Sequence, residues 1–118
     1  MIPENKPTVT VIIPILNEEK FIESLVNSLY QSKLSMTQLI VVDGGSTDDT
    51  INILAKLKKK HKELLILDNK LKHVSPGFNK ALNEAEGDII FRIDGHCKLP
   101  PNYLDRCLEI LNTKDADI

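Results

Sequence analysis

A chain of 118 residues that is 42% hydrophobic can bury a core of its own, and on the usual scale of about 100 to 200 residues per domain it forms one domain rather than two. Fifteen basic against seventeen acidic residues leave a net charge of −2, which offers a polyanion no attraction and excludes nucleic acid as the expected partner. Cys97 and Cys107 have no second pair, so they fit neither a zinc site nor a disulfide framework and read as reduced thiols. The start, Met1-Ile2-Pro3-Glu4-Asn5-Lys6, lacks the apolar centre of a signal peptide, and no stretch has the length of a membrane span. A cytoplasmic chain with a disordered tail at residues 1–6 is expected.

Taken in order, the elements alternate. Val9-Thr10-Val11-Ile12-Ile13 is a β-rich run stopped by Pro14, and Asn17 is placed to cap a helix carrying Phe21, Ile22, Leu25, Val26 and Leu29 at helical spacing. Leu39 to Val42, four apolar residues in a row, reads as a strand covered on both faces. It ends on Asp43-Gly44-Gly45-Ser46. Ser46 with Asp49 matches a capping box, followed by a helix from about Thr47 with Ile51, Leu54, Ala55 and Leu57 inward. Leu64 to Leu67 is a third strand. Ser75-Pro76 opens a third helix burying Phe78, Ala81, Leu82 and Ala85, and Gly87 ends it. Asp88 to Asp94 is a fourth strand, again finishing on an acid before glycine. After Pro100-Pro101 comes a helix with Tyr103, Leu104, Cys107, Leu108 and Leu111 on one side, and Ala116-Asp117-Ile118 looks like the beginning of another strand.

This βαβαβαβ order predicts an α/β fold with a Rossmann-like, doubly wound, mainly parallel sheet. All strands of such a sheet deliver their carboxyl ends to one edge, where ligands bind. Three polar clusters share that edge: Asn17-Glu18-Glu19, Asp43-Gly44-Gly45-Ser46 and Asp94-Gly95-His96. As a carboxylate, Asp43 accepts hydrogen bonds from an N–H or a sugar hydroxyl, which suits base or ribose recognition. Asp94 and His96, two apart on a turn, allow an oxygen and an imidazole nitrogen to approach one cation. A divalent metal held there would neutralise charge on a departing diphosphate. Neither G-x-x-x-x-G-K-[ST] nor G-x-G-x-x-G is present, so no glycine-rich phosphate cradle competes with that metal.

Plainer explanations bound these assignments. Asp before Gly at a strand end is ordinary turn chemistry, and Glu18 and Glu19 suit the positive end of a helix without any ligand. Asp48 and Asp49 read as helix-start charges, His61 and His73 as surface residues. Lys56, Lys58, Lys59, Lys60 and Lys62 read as the solvated face of a helix end, where lysines favour the dipole. Only the shared edge lifts the first two clusters above turn chemistry.

Val11-Ile12-Ile13-Pro14-Ile15-Leu16-Asn17-Glu18-Glu19, Ile40-Val41-Val42-Asp43-Gly44-Gly45-Ser46-Thr47-Asp48, Asn79 within Pro76-Gly77-Phe78-Asn79-Lys80-Ala81, and Gly87-Asp88-Ile89-Ile90-Phe91-Arg92-Ile93-Asp94 together resemble the nucleotide-binding half of family-two inverting glycosyltransferases of the GT-A fold, and most closely members that build exopolysaccharide. The resemblance runs from about Pro7 onward, so residues 1–118 are expected to be a truncated, donor-binding portion of one domain. It implies that Pro14, Asn17 and Glu18 border the nucleotide, that Asn79 belongs to the same site, that Asp43 contacts uracil, and that Asp94 opens an Asp-x-Asp element meeting ribose and metal. Where the family usually has a second aspartate this chain has His96. Imidazole suits Mn²⁺ better than the oxygen-loving Mg²⁺, so Mn²⁺ is favoured.

The activity implied is transfer of a sugar from a UDP-sugar to an acceptor hydroxyl, carbohydrate or lipid-linked, with inversion. The general base and acceptor site are expected beyond residue 118, so no catalytic residue is expected within the chain, and contact with the inner face of a membrane only through regions outside it. Two alternatives stand beside this one. A phosphoacceptor receiver-like signalling domain would take its phosphoryl group on Asp43, and a silent nucleotide-binding module would bind without transfer.

Overall fold

The strand Val9–Ile15 (β1) has backbone neighbours on both sides, and helices packed on both faces of the sheet bury nearly every side chain along it. The computed structural model describes residues 8–31, 38–68, 74–100 and 103–107. After β1 come α1 (Ile22–Tyr30), β2 (Gln38–Asp43), α2 (Thr50–Lys60), β3 (Leu65–Asp68), α3 (Val74–Glu84) and β4 (Ile89–Arg92), and residues 103–107 are helical. The four strands form one parallel sheet in the order β3-β2-β1-β4. The chain steps outward from β1 to β3 and then returns to the other side of β1, so the order reverses between β1 and β4.

Side-chain alternation along the strands divides the core in two. Val9, Val11, Ile13 and Ile15, with Leu39 and Val41, pack against Ile22, Leu25, Val26 and Leu29 of α1 and Leu54 and Leu57 of α2. Ile12, Ile40 and Val42 face the opposite way and pack with Ala81 of α3. Helices on both faces make the doubly wound architecture. No helix among the described residues is long and apolar enough to cross a membrane.

Several local expectations are corrected. β1 does not stop at Pro14 but pairs with β2 through Pro14↔Val42 and Ile15↔Asp43. The backbone groups of a strand point alternately to its two neighbours, and Ile12 O accepts from Ile93 N while Ile15 O accepts from Gly44 N at 2.9 Å. Position 14 therefore points to the β4 side, where a proline has no N–H to give. Pairing with β4 ends at Ile12↔Arg92, so β1 continues beside β2 alone. In α2, Leu54 and Leu57 are buried as expected, but Ile51 and Ala55 are exposed because they lie round the helix from that stripe. Leu82 of α3 is likewise partly exposed.

Gly87 acts by close approach, since a Cβ there would lie 2.6 Å from Thr10 N. Its N–H donates to Thr10 Oγ1, which in turn donates to Gln38 Oε1, tying the exit of α3 to β1 and β2. The tail at 1–6, the strand at 116–118, His73 and the inward placement of Phe78, Leu108 and Leu111 lie outside the described residues and side chains.

Candidate functional site

The loops after β1 and β2 are sewn together side chain to backbone. Asn17 has φ 55°, a left-handed conformation that asparagine tolerates better than most residues. That turn directs its N–H to Ser46 Oγ at 2.9 Å, while its Oδ1 accepts from the N–H groups of Thr47 at 2.7 Å and Asp48 at 3.2 Å. The next residue repeats the pattern, Glu18 N donating to Thr50 Oγ1 at 3.0 Å. Glu19 N donates to Asp48 Oδ2, and Asp49 N to Glu19 Oε2. Asn17 therefore caps the approach to α2 rather than the start of α1.

Asp43 ends β2 buried, at 6% exposure. Ser46 N donates to both of its oxygens at 3.3 Å, and Ser46 Oγ donates to Oδ1. The expected capping box is absent because Ser46 serves Asp43 and Asn17 instead. At the start of α2, Asp48 Oδ1 accepts from the N–H and hydroxyl of Thr50. Desolvation pushes the Asp48 carboxyl up, but the hydrogen bonds from Thr50 and from Glu19 N–H outweigh it and hold the group below the ordinary carboxylate value. A carboxylate has about four acceptor sites, so Asp43 keeps capacity for a ligand donor after Ser46 is satisfied. Gly44 and Gly45 make the turn possible: Gly45 has φ 96°, and a Cβ on Gly44 would lie 3.3 Å from Ile15 O.

The third cluster lies across the reversal point. Cys97 N donates to Asp94 O, closing a turn that leaves Asp94 and His96 exposed. A Cβ on Gly95 would lie 2.7 Å from Ile15 Cγ2 and 3.0 Å from Glu18 Cγ, so only glycine lets this turn rest on the end of β1. His96 Nδ1 stands 3.7 Å from Glu18 Oε2. Pro14, by ending the β1–β4 pairing, stands where the two strand ends part.

Asn79 is exposed in α3, and its neighbour Lys80 donates from Nζ to Asp68 O at 3.0 Å, which keeps this stretch of helix near the carboxyl end of β3. Asp68 is a carboxylate that sequence reasoning passed over. It pairs in register with Asp43, and Leu65-Ile66-Leu67-Asp68 repeats the strand-then-acid pattern that singled out Asp43. Thr50 was also missed, since a threonine near a helix start gives no hint of a partner 32 positions away.

Far from this edge, Lys58 Nζ donates to Lys62 O and Leu64 O, and Lys59 and Lys60 are exposed, in keeping with a solvated helix end. His61 is not a plain surface residue: it stacks on Tyr30 with ring centroids 3.9 Å apart.

Among the described residues no three His, Cys, Asp or Glu side chains converge as a cation site. Asp94 and His96 are a hard oxygen and a borderline nitrogen donor on one short turn, a pair whose chemistry would suit a first-row divalent ion.

A model of the family described as "Glycosyl transferase family 2" matches residues 10–118. The succinoglycan biosynthesis protein ExoA of Rhizobium meliloti (strain 1021) is 36% identical over 110 residues, which is 91% of this chain and 33% of that protein. Among solved structures, S. aureus TarS 1-349 in complex with UDP has a TM-score of 0.76 at 28% identity, covering 93% of this chain and 33% of that one. The mannosyltransferase PcManGT from Pyrobaculum calidifontis in complex with GDP-Man and Mn²⁺ has a TM-score of 0.82 at 27% identity, covering 92% and 33%. The chain thus spans about a third of the length of these relatives. A family model that runs over nearly the whole chain, on a fold these transferases share, shows that the chain belongs to glycosyl transferase family 2 and has the architecture of its GT-A fold.

Proposed function

We propose that the chain is the donor-binding part of an inverting glycosyltransferase that moves a sugar from a UDP-sugar to a carbohydrate or lipid-linked acceptor hydroxyl. One observation carries this reading: the loops ending β1, β2 and β4 meet at the reversal point of the sheet, the place where open α/β sheets bind nucleotides. The UDP complex of TarS supports it, and the GDP-Man complex of PcManGT supports the broader reading of a nucleotide-sugar donor.

Asp43, held by Ser46, accepts from the uracil N–H. Pro14, Asn17, Glu18 and Asn79 border the nucleotide, and Asp94 meets the ribose. Asp94 and His96 would hold the divalent ion, with Mn²⁺ favoured over Mg²⁺ by the imidazole. Such an ion acts when bound as a Lewis acid on the leaving diphosphate. The reading assigns the general base, and any association with the inner face of a membrane, to the further two thirds that such relatives possess.

Calorimetric titration with UDP, GDP, ADP and NAD, each with and without Mn²⁺, tests the assignment. UDP should bind best and more tightly with Mn²⁺. Loss of the charge-assisted bond in Asp43→Ala should weaken UDP by about 10- to 100-fold, from the 1.5–3 kcal/mol such bonds contribute, and Asp94→Ala should remove the Mn²⁺ dependence. No preference for UDP, or an Asp43→Ala variant with unchanged affinity, would overturn it. UDP binding in the longer protein without transfer would mark a silent module.

A further inference from the structure

We infer that Glu18 is the positioning residue of His96: its carboxylate accepts from the imidazole Nδ1–H and so turns the Nε2 lone pair toward the cation site. The inference rests on the cation-binding reading of the Asp94–His96 turn proposed above. Glu18 Oε2 is buried and finds no hydrogen-bond partner among the described residues. Such an oxygen costs stability unless something completes it, so its presence needs a reason. His96 Nδ1 stands 3.7 Å away, an ion-pair separation that an imidazole 64% exposed can shorten by a small rotation of its own side chain.

The two partners are not equally free. The Glu18 backbone is fixed at both ends, its N–H on Thr50 Oγ1 and its carbonyl accepting from Phe21 and Ile22 N–H at 3.0 Å each. The His96 turn is brought down on it by Gly95, where even a methyl group would strike Ile15 and Glu18. A carboxylate on a rigid backbone beside a rotatable imidazole is the arrangement in which the acid sets the tautomer. An Nδ1–H held by a carboxylate leaves Nε2 unprotonated and more basic, which orients and strengthens it as a metal ligand. The same device explains how a histidine can serve where relatives by resemblance carry a carboxylate.

The tautomer can be read without metal, by long-range ¹H–¹⁵N correlation of the neutral His96 ring in the ¹⁵N-labelled chain. The parent should hold the Nδ1–H form, which a free histidine side chain disfavours. Glu18→Ala should revert it to Nε2–H, and Glu18→Gln, whose amide oxygen still accepts, should retain it. In the UDP-loaded chain, Mn²⁺ affinity should fall by about 10- to 100-fold in Glu18→Ala and by less in Glu18→Gln. An Nε2–H ring in the parent, or a tautomer that ignores Glu18→Ala, would overturn the inference. If instead the tautomer responds as stated while UDP and Mn²⁺ bind independently, the donor-site reading fails and the Glu18–His96 orientation stands.

Discussion

Asn17 does three jobs with one residue: it adopts φ 55°, gives its N–H to Ser46 Oγ and caps two N–H groups at the approach to α2. Replacing it separates the contributions. Asn17→Gly keeps the conformation and loses the cap, at a cost of roughly a few tenths of a kcal/mol. Asn17→Ala loses both, and the left-handed conformation adds about 1–2 kcal/mol. Urea unfolding should therefore rank parent above Gly above Ala; equal losses for the two variants would show that the conformation carries no strain. Tyr30 makes a second case, governed by solvent. Its hydroxyl is buried without a partner among the described residues, and burial, with a smaller push from the Glu63 charge, raises its pKa to about 12 from 10.0. A raised value means the folded state holds the proton more tightly than the unfolded one. Stability from this group is thus intact below pH 10 and is lost as pH rises from there through about 12. Tyr30→Phe should be near neutral at pH 7 and should gain on the parent across that alkaline window. A difference between the two that does not change with pH would remove the burial argument.

At the scale of elements, the informative residue is Pro14, whose missing N–H ends the β1–β4 pairing at Ile12↔Arg92 while β1 goes on beside β2. Pro14→Val should restore a donor on the β4 side and extend the pairing, with a stability change within the roughly 1 kcal/mol span of strand propensities. The new amide should be protected from hydrogen exchange and UDP should bind more weakly as the strand ends close. A rapidly exchanging amide with unchanged UDP affinity would show that the proline does not hold the crevice open. Gly87 makes the matching argument at the opposite edge: a methyl 2.6 Å from Thr10 N meets backbone that cannot yield. Gly87→Ala should cost about 1–3 kcal/mol by overpacking. These examples show why elements were legible in the sequence and their ends were not. Runs such as Leu39 to Val42 announce a buried strand by composition. The ends depend on partners remote in sequence: Ser46 reads as a cap for its own helix, but Asp43 and Asn17 take its hydroxyl. The strand-end acids Asp43 and Asp94 were legible because their position marks them, whereas the bond from Glu18 N–H to Thr50 and the Glu18–His96 pair exist only once the loops after β1, β2 and β4 come together.

For the whole molecule, the returning chain makes a three-layer structure whose two cores are separated by the sheet, and this has a measurable consequence. Ile12 and Ile13 are adjacent and both fully buried, yet Ile12 belongs to the cluster under α3 and Ile13 to the one under α1 and α2. Each Ile→Val change should cost about 0.5–1.5 kcal/mol, small enough for the double variant to stay folded against a typical total of 5–15 kcal/mol. Sharing no side-chain neighbours, the two losses should add within about 0.5 kcal/mol. Ile13 and Leu25 are far apart in sequence but line one cluster, so Ile13→Val with Leu25→Ala should depart from additivity by about 0.5 kcal/mol or more, because the cavity left by one relaxes into the space of the other. The comparison inverts what distance along the chain would suggest. Strong coupling between the neighbours Ile12 and Ile13, with none between Ile13 and Leu25, would mean that the sheet does not divide the core.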